Sequence, residues 1–301
     1  MSSITTDKPL GGTELLYNSL SSKIDFSHIN LILSICHYDL LSDSKPNVLW
    51  QHLNWNEENT QLLSDENYVK RLDSIVFVSH WQHEQFRKRY EHLNSINCYV
   101  IQNAVESFEK EKTHPKPHRI KLIYTSTPWR GLEVLIEVIK RLDRDVDIDI
   151  YSGSKIYGPQ FYEQTKGQFD KLYEDLKKLN VKHIEYAPNE EVRKAVAESH
   201  ILAYPSTFEE TSCLSAIEAL SAGCKVVTTN FGALPETCGV WADYTSLNQN
   251  TMNNYTKALQ QAIDTYWDNY EERVAQRYHY KHFWSWDKRI LQWESFLNEY
   301  K

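Results

Sequence analysis

Nothing in the 301 residues approaches a membrane span, since no run of about 18 apolar residues occurs. Met1-Ser-Ser-Ile-Thr-Thr also lacks the basic and apolar regions of a secretory leader. The five cysteines, Cys36, Cys98, Cys213, Cys224 and Cys238, are odd in number and show no C-x-x-C spacing. That excludes a disulfide framework and a zinc site, and a reducing compartment is expected. Bases are outnumbered, 33 against 41 acids, for a net charge of −8; nonspecific attraction to nucleic acid is excluded accordingly. No internal repeat or low-complexity segment breaks the chain. From these absences a soluble cytoplasmic protein is expected, in which the sequon Asn254-Tyr255-Thr256 would have no meaning.

What is present fits a globular protein of two domains. Hydrophobic content of 41% and charged content of 25% are ordinary for packed cores, and the length allows two of them. Strand-like and helix-like segments alternate in two blocks, which implies two parallel-sheet α/β domains. The first is placed at 1–107 and the second at 118–282. Between them lies a charged stretch with Glu106, Glu109, Lys110, Pro115 and Pro117, a composition that suits a linker. In the first block strands are expected at Leu31–Ile35, Asn47–Gln51, Ser74–Ser79 and Cys98–Val105, with helices over Asn59–Leu72 and His80–His92. Met1–Leu10 contains no strand pattern. In the second, Val146, Ile148 and Ile150 alternate with Asp145, Asp147 and Asp149, which reads as a half-exposed strand rather than a metal site. Helices are expected over Glu133–Arg141, Phe161–Leu179, Asn189–Glu198 (Asn189 as N-cap), Thr251–Gln276 and Phe283–Tyr300.

One stretch organises the second block. Residues 203–229 read as a buried strand, a turn at Pro205 and Ser206, a helix over about 212–221, and a strand from Lys225. In open parallel sheets, ligands sit off the carboxyl ends of strands, beside the following helix starts. Glu210 falls at that turn. A carboxylate there also complements the helix dipole, but Glu218, eight residues on, sits among Leu214, Ala216, Ile217, Ala219 and Leu220. An acid in so apolar a helix needs a donor partner or a cleft, and sugar hydroxyls are such donors.

The spacing Glu210-x7-Glu218, with Tyr204-Pro-Ser206 before it and Ala222-Gly223 after it, resembles the signature of retaining nucleotide-sugar glycosyltransferases of family four. The resemblance spans most of 11–300 and is strongest over 119–238. It implies the GT-B fold: two Rossmann-like domains about a cleft, here with a reduced N-terminal domain and a C-terminal helix, 283–301, crossing back. It further implies that Glu210 lies against the donor sugar, that Glu218 holds the ribose, and that backbone N–H groups of Thr211, Ser212, Cys213 and Leu214 face the sugar and diphosphate. The family usually carries Gly-Phe-Gly where Thr211, Ser212 and Cys213 stand.

Other segments join this picture. Gly11-Gly12 opens an amphipathic helix, where free N–H groups attract phosphate; the resemblance places this segment under the diphosphate and acceptor. His52 follows a strand end, and the resemblance implies contact with the donor sugar or acceptor, with His37 the weaker candidate. His80 and His83 read as surface residues. Arg130 stands at a loop mouth, where a guanidinium can stabilise a departing diphosphate. The resemblance implies that role too, while Thr125 occupies the place of a second usual cation and Ser126 is left to share the duty. Gly153 lies in a loop where the family often seats its nucleotide, Tyr186-Ala-Pro188 where it holds the base, and Asn230–Thr237 resembles its diphosphate-facing loop. The expected function is transfer of a sugar from a nucleotide-diphosphate sugar to a glycan or other hydroxyl acceptor, with retention of configuration. No metal and no further cofactor is expected. A non-catalytic nucleotide-sugar or glycan binder, or a sugar-nucleotide epimerase, would use the same architecture.

Overall fold

The computed structural model describes residues 11–108 and 119–301. The strandless reading of Met1–Leu10 and most of the linker stretch lie outside the described residues. The first lobe opens with α1 (Gly12–Ser21), followed by β1 (Asn30–Leu33), β2 (Asn47–Gln51), α2 (Glu66–Val69), β3 (Ser74–Phe77), α3 (His80–Arg89) and β4 (Asn97–Val100). Its strands pair in the order β1-β2-β3-β4, all parallel. Side chains alternate between two cores. Val48, Trp50, Val76 and Val78 pack with Leu16 and Leu20 of α1, whereas Leu49, Ile75 and Phe77 pack with Tyr68, Val69 and Phe86.

The second lobe runs β5 (Ile120–Thr125), α4 (Leu132–Ile139), β6 (Val146–Tyr151), α5 (Pro159–Thr165), α6 (Asp170–Lys177), β7 (Lys182–Ile184) and α7 (Asn189–Glu198). It continues with β8 (Ile201–Tyr204), α8 (Leu214–Ser221), β9 (Lys225–Thr229), α9 (Leu234–Cys238), β10 (Ala242–Thr245), α10 (Thr251–Asp264) and α11 (Tyr270–Phe283). The sheet order is β10-β9-β8-β5-β6-β7, all parallel. Parallel strands covered on both faces must be apolar throughout, and β8 is buried at all four positions. The order reverses between β5 and β8, which makes their carboxyl ends the place for a ligand.

Several elements differ from the sequence reading. The helix expected over Asn59–Leu72 is a 3-10 stretch, Glu58–Ser64, and the single turn α2; Asp65 between them is extended and caps Asn67 with its carboxylate. Phe161–Leu179 divides near Gly167, and Thr251–Gln276 divides after Asp264. Asp149 does not face out: it is buried and its carboxylate lies 2.8 Å from Lys121 Nζ. Asp147, on the same strand, does stay exposed, so the alternation holds there and fails at Asp149. Asn189 is the first helical residue, and Pro188 holds the cap position.

The chain crosses between lobes twice at one place. Val105 N–H donates to the Trp284 carbonyl at 3.0 Å, and α12 (Trp286–Leu297) then inserts Trp286, Trp293 and Phe296 into the first lobe's core, Trp293 meeting Trp50 at 5.0 Å. Among the described residues no helix is long and apolar enough to cross a membrane.

A second tie is electrostatic. α3 has no acid in its own first turn, and Glu236 of α9 supplies one from the other lobe. Its oxygens accept from the backbone N–H groups of His80 at 2.9 Å and Trp81 at 2.8 Å, and from Gln102 Nε2 at 3.1 Å. Carboxylates that cap a helix start and accept several bonds stabilise by about 1–2 kcal/mol. Glu236→Ala is expected to lower the unfolding free energy by about that amount, read as a shifted urea midpoint at unchanged slope. An unshifted midpoint would show that the lobes hold without this cap.

Candidate functional site

Residues following β1, β2, β4, β5, β6, β7 and β8 line a cavity of about 610 Å³ between the lobes. At its floor stands Glu210, only 1% exposed. Arg130 Nη1 donates to both carboxylate oxygens at 3.0 Å, and the Tyr204 hydroxyl donates to Oε1. The guanidinium is sandwiched from the other side by the Phe208 ring at 4.2 Å. Burial is the largest single influence on Arg130 and opposes its charge, but the Glu210 carboxylate, with Tyr204, Tyr157 and Cys213 adding to it, leaves the pKa raised. Burial, reinforced by the same carboxylate, holds the Tyr204 phenol well above its ordinary value, so it remains a donor.

The backbone of Glu210 is fixed as well. Ala233 N–H donates to the Glu210 carbonyl at 2.7 Å. Gly232, at φ +63, packs so closely that a Cβ would lie 2.5 Å from the Glu210 nitrogen, so only glycine fits. The loop Asn230–Thr237 therefore backs the site residue, while its Glu236 reaches the first lobe.

Glu218 lines the cavity one element further on, but not as a free acid. Arg193 Nη1 of α7 donates to its Oε1 at 2.7 Å, Arg193 Nη2 donates to the Glu106 carbonyl at 2.9 Å, and the guanidinium lies over Phe108 at 4.2 Å. Arg193 thus orients Glu218 from outside the cavity.

Most of the remaining residues singled out from the sequence converge, whereas Gly11, His37, Tyr186, Pro188 and the loop Asn230–Thr237 lie outside the lining. Ser126, Gly153, Thr211, Ser212, Cys213 and Leu214 line the cavity with Gly12 and His52. Gly11 is not part of the lining; it caps α1, its carbonyl accepting from Leu15 N–H at 3.0 Å. The starts of α1 and α8 approach each other, since a Cβ on Gly12 would stand 3.1 Å from Leu214 Cδ1. Gly153 permits close backbone approach, as a Cβ there would fall 2.1 Å from the Glu185 carbonyl. Ser126 Oγ is 3.3 Å from the Tyr204 hydroxyl. Thr211 reaches across the cleft, donating from Oγ1 to the His52 carbonyl at 2.7 Å, beside Asn54 Nδ2 donating to Glu209 Oε2 at 2.7 Å.

His52 rests on Trp50, ring centroids 4.5 Å apart, and its Nε2 is buried without a partner. Burial pushes its pKa down to about 3, leaving the ring neutral. His37 lies exposed, capping Asp39 N–H, and His83 stacks on Phe77.

Sequence reasoning passed over Ser34, Asn103, Thr127, Ser152 and Tyr157, all in the lining. Ser34 and Ser152 directly follow strand ends, which was the available signal. Of the fourteen buried side-chain polar atoms without partners among the described residues, eight belong to residues of this lining: Ser34, His52, Asn103, Thr125, Thr127, Arg130, Ser152 and Ser212. Native interiors rarely leave such atoms unpaired, and their concentration at one cavity sets them where ordered water or a polar ligand can pair them.

Comparison with known proteins agrees with this geometry. Residues 105–281 match the family described as glycosyl transferases group 1. Over 144 residues, 47% of this chain, the sequence is 25% identical to an MMP α-(1→4)-mannosyltransferase of Mycolicibacterium hassiacum, and the match covers 33% of that protein. The chain thus spans about a third of the length of the curated relative it matches. Among solved structures, HepE of Anabaena in complex with UDP and glucose superposes with a TM-score of 0.69 at 16% identity, covering 98% of this chain and 85% of that one. A glycosyltransferase from Rickettsia africae gives 0.66 at 15%, covering 96% and 80%. Sucrose-phosphate synthase from Thermosynechococcus elongatus gives 0.66 at 14%, covering 85% and 68%. Such identities speak for the fold alone, and the expected GT-B architecture is borne out. Because the family match takes in more than half of its length, the chain belongs to the group 1 glycosyl transferases.

Proposed function

We propose that this chain moves a sugar from a nucleotide-diphosphate donor to a hydroxyl acceptor with retention of anomeric configuration. The observation that carries the reading is the ring of partnerless buried polar atoms around the interlobe cavity. Each costs about 1–3 kcal/mol while unpaired, and a ligand rich in hydroxyl and phosphate oxygens offsets that cost at many atoms together. In this reading the lobe of 118–282 holds the donor, and the lobe of 1–107, with 283–301 packed on it, faces the acceptor.

Glu210, held by Arg130 and Tyr204, orients the donor sugar. Glu218 meets the ribose with the oxygen opposite Arg193, while Ser126 and Gly153 border the nucleotide. The bond from the anomeric carbon to the phosphate oxygen breaks with its electron pair on the diphosphate. The acceptor oxygen forms the new bond on the same face, and its proton goes to the phosphate oxygen just released. Arg130 carries an unpaired Nε, which suits it to that developing charge, together with N–H groups of Ser212, Cys213 and Leu214 and of the α1 start at Gly12. His52, neutral, accepts or donates a hydrogen bond to the sugar or acceptor. With the charge carried by these groups no metal or other cofactor is required, and turnover should persist in excess EDTA.

Titration of UDP-, GDP- and ADP-sugars by calorimetry tests the donor assignment. Glu218→Ala should weaken the preferred donor about 10- to 100-fold, as expected for loss of hydrogen bonds to a charged group; equal affinity in the two proteins would refute the ribose role. The neutrality of His52 has a separate consequence. The unfolded chain takes up a proton near pH 6.5 that the folded ring refuses down to about 3. Stability from this residue is therefore complete above about pH 6.5 and is lost as pH falls toward 3. Between pH 7 and 5 the loss should be about 1–2 kcal/mol and should vanish in His52→Asn, as measured by urea unfolding at the two pH values; an identical pH slope in both proteins would mean that the ring titrates normally.

A further inference from the structure

The two halves of the cavity differ in charge. Of the lining residues contributed by the first lobe, one is ionised, Glu14, and it is an acid. No Lys or Arg of that lobe reaches the lining among the described residues. From the second lobe come Glu185, Glu210 and Glu218 against the single guanidinium of Arg130, which Glu210 already engages. A donor diphosphate can be met on the second lobe by Arg130 and by helix-start N–H groups. Among the described residues an anionic acceptor on the first lobe would meet no cation, only the α1-start N–H groups that the donor diphosphate engages in the reading above, and it would face Glu14; burying an unpaired charge is costly.

What the first lobe offers instead is uncharged. Ser34 Oγ, His52 Nε2 and Asn103 Oδ1 are buried without partners, and Ser34 and Asn103 are 5% and 4% exposed. A hydroxyl and a neutral imidazole nitrogen each accept or donate, and the amide oxygen accepts. Carboxylates and phosphates carry no proton to give to that amide oxygen at neutral pH, whereas a sugar hydroxyl both donates and accepts. Ser34 is also held deliberately: it has φ +61, the single positive φ outside glycine among the described residues, a conformation uncommon for such a residue. Its N–H donates to the Trp50 carbonyl at 3.0 Å and its carbonyl accepts from Gln51 Nε2 at 3.1 Å, which ties its backbone to the end of β2, just before His52.

We infer that the acceptor is an uncharged hydroxyl-bearing group, the end of a neutral saccharide, bound through Ser34 and Asn103, and that acceptors phosphorylated or carboxylated near the reacting hydroxyl are excluded. The inference rests on the transfer reading above. Its test uses the whole chain with the donor that calorimetry selects and matched acceptor pairs: glucose, mannose and N-acetylglucosamine, each against its 6-phosphate, and glucose against glucuronate. Saturation-transfer NMR in the presence of UDP reads binding, and mass spectrometry reads transfer.

At least one neutral sugar should bind ten-fold or more tightly than its charged counterpart. Asn103→Ala and Ser34→Ala should raise KM for that sugar about ten-fold with kcat within two-fold and donor affinity unchanged, whereas a general structural defect would move donor affinity too. Equal or tighter binding of the charged members, binding of no neutral sugar despite intact donor binding, or unaltered KM in both variants would overturn the inference while leaving the transfer reading in place. Absence of nucleotide-sugar binding by the wild-type chain would sink the transfer reading itself.

Discussion

The site depends on a buried ion pair. A carboxylate as enclosed as Glu210 is tolerable only if its charge is matched and its lone pairs are used, and Arg130 Nη1 with the Tyr204 hydroxyl meets both needs. These groups come from loops after different strands. Arg130 follows β5, Tyr204 ends β8, and the loop after β9 closes on the Glu210 backbone through Gly232 and Ala233. The topological reversal of the sheet brings those strand ends together, so the pair and the fold specify each other. Removal of either partner would leave an uncompensated charge in the cleft floor, a far larger cost than the pair's own net contribution.

The same neighbourhood sets how the lobes meet. Thr211, directly after Glu210, bonds the His52 carbonyl, and Glu209, directly before it, bonds Asn54. Glu236, four residues past Gly232, caps α3. Farther out, Trp293 against Trp50 and the Val105–Trp284 bond tie the terminal helix to the first sheet. Closure of the cleft and placement of its residues are thus one set of interactions, and a strain at either is felt by the other.

Much of this was legible in the chain. Apolar runs ending in polar residues located the strands, the rule that ligands gather at strand ends pointed to Glu210, and the family resemblance pointed to Arg130, Ser126 and His52, all four of which line one cavity. The partners themselves were hidden. Arg193 lies 25 residues from Glu218 and Glu236 lies 156 from His80, and no local pattern signals a contact at such separation. Periodicity judged Asp147 rightly and misjudged Asp149, because alternation does not show where a neighbouring strand supplies a cation, here Lys121, to a buried acid. Gly11 was grouped with Gly12 because adjacent glycines look equivalent; one caps the helix while the other faces Leu214.

The departure from Gly-Phe-Gly at Thr211-Ser212-Cys213 raised the question of whether the loop keeps a usable shape. No residue of this loop has a positive φ, so its path requires no glycine, and side chains stand at Thr211 and Cys213, where the family commonly has none, while Ser212 replaces a Phe. They are occupied in distinct ways. Thr211 spends its hydroxyl on the opposite lobe, Cys213 is buried and, with burial and Glu210 raising its pKa well above the ordinary value, stays a thiol. Ser212 keeps a buried hydroxyl without a partner in the cavity wall. Glycine is needed one layer behind, at Gly232, where the backbone must pass against Glu210. The backbone freedom of glycine is therefore needed behind this loop and not in it, which leaves the cavity wall free to carry the Ser212 hydroxyl.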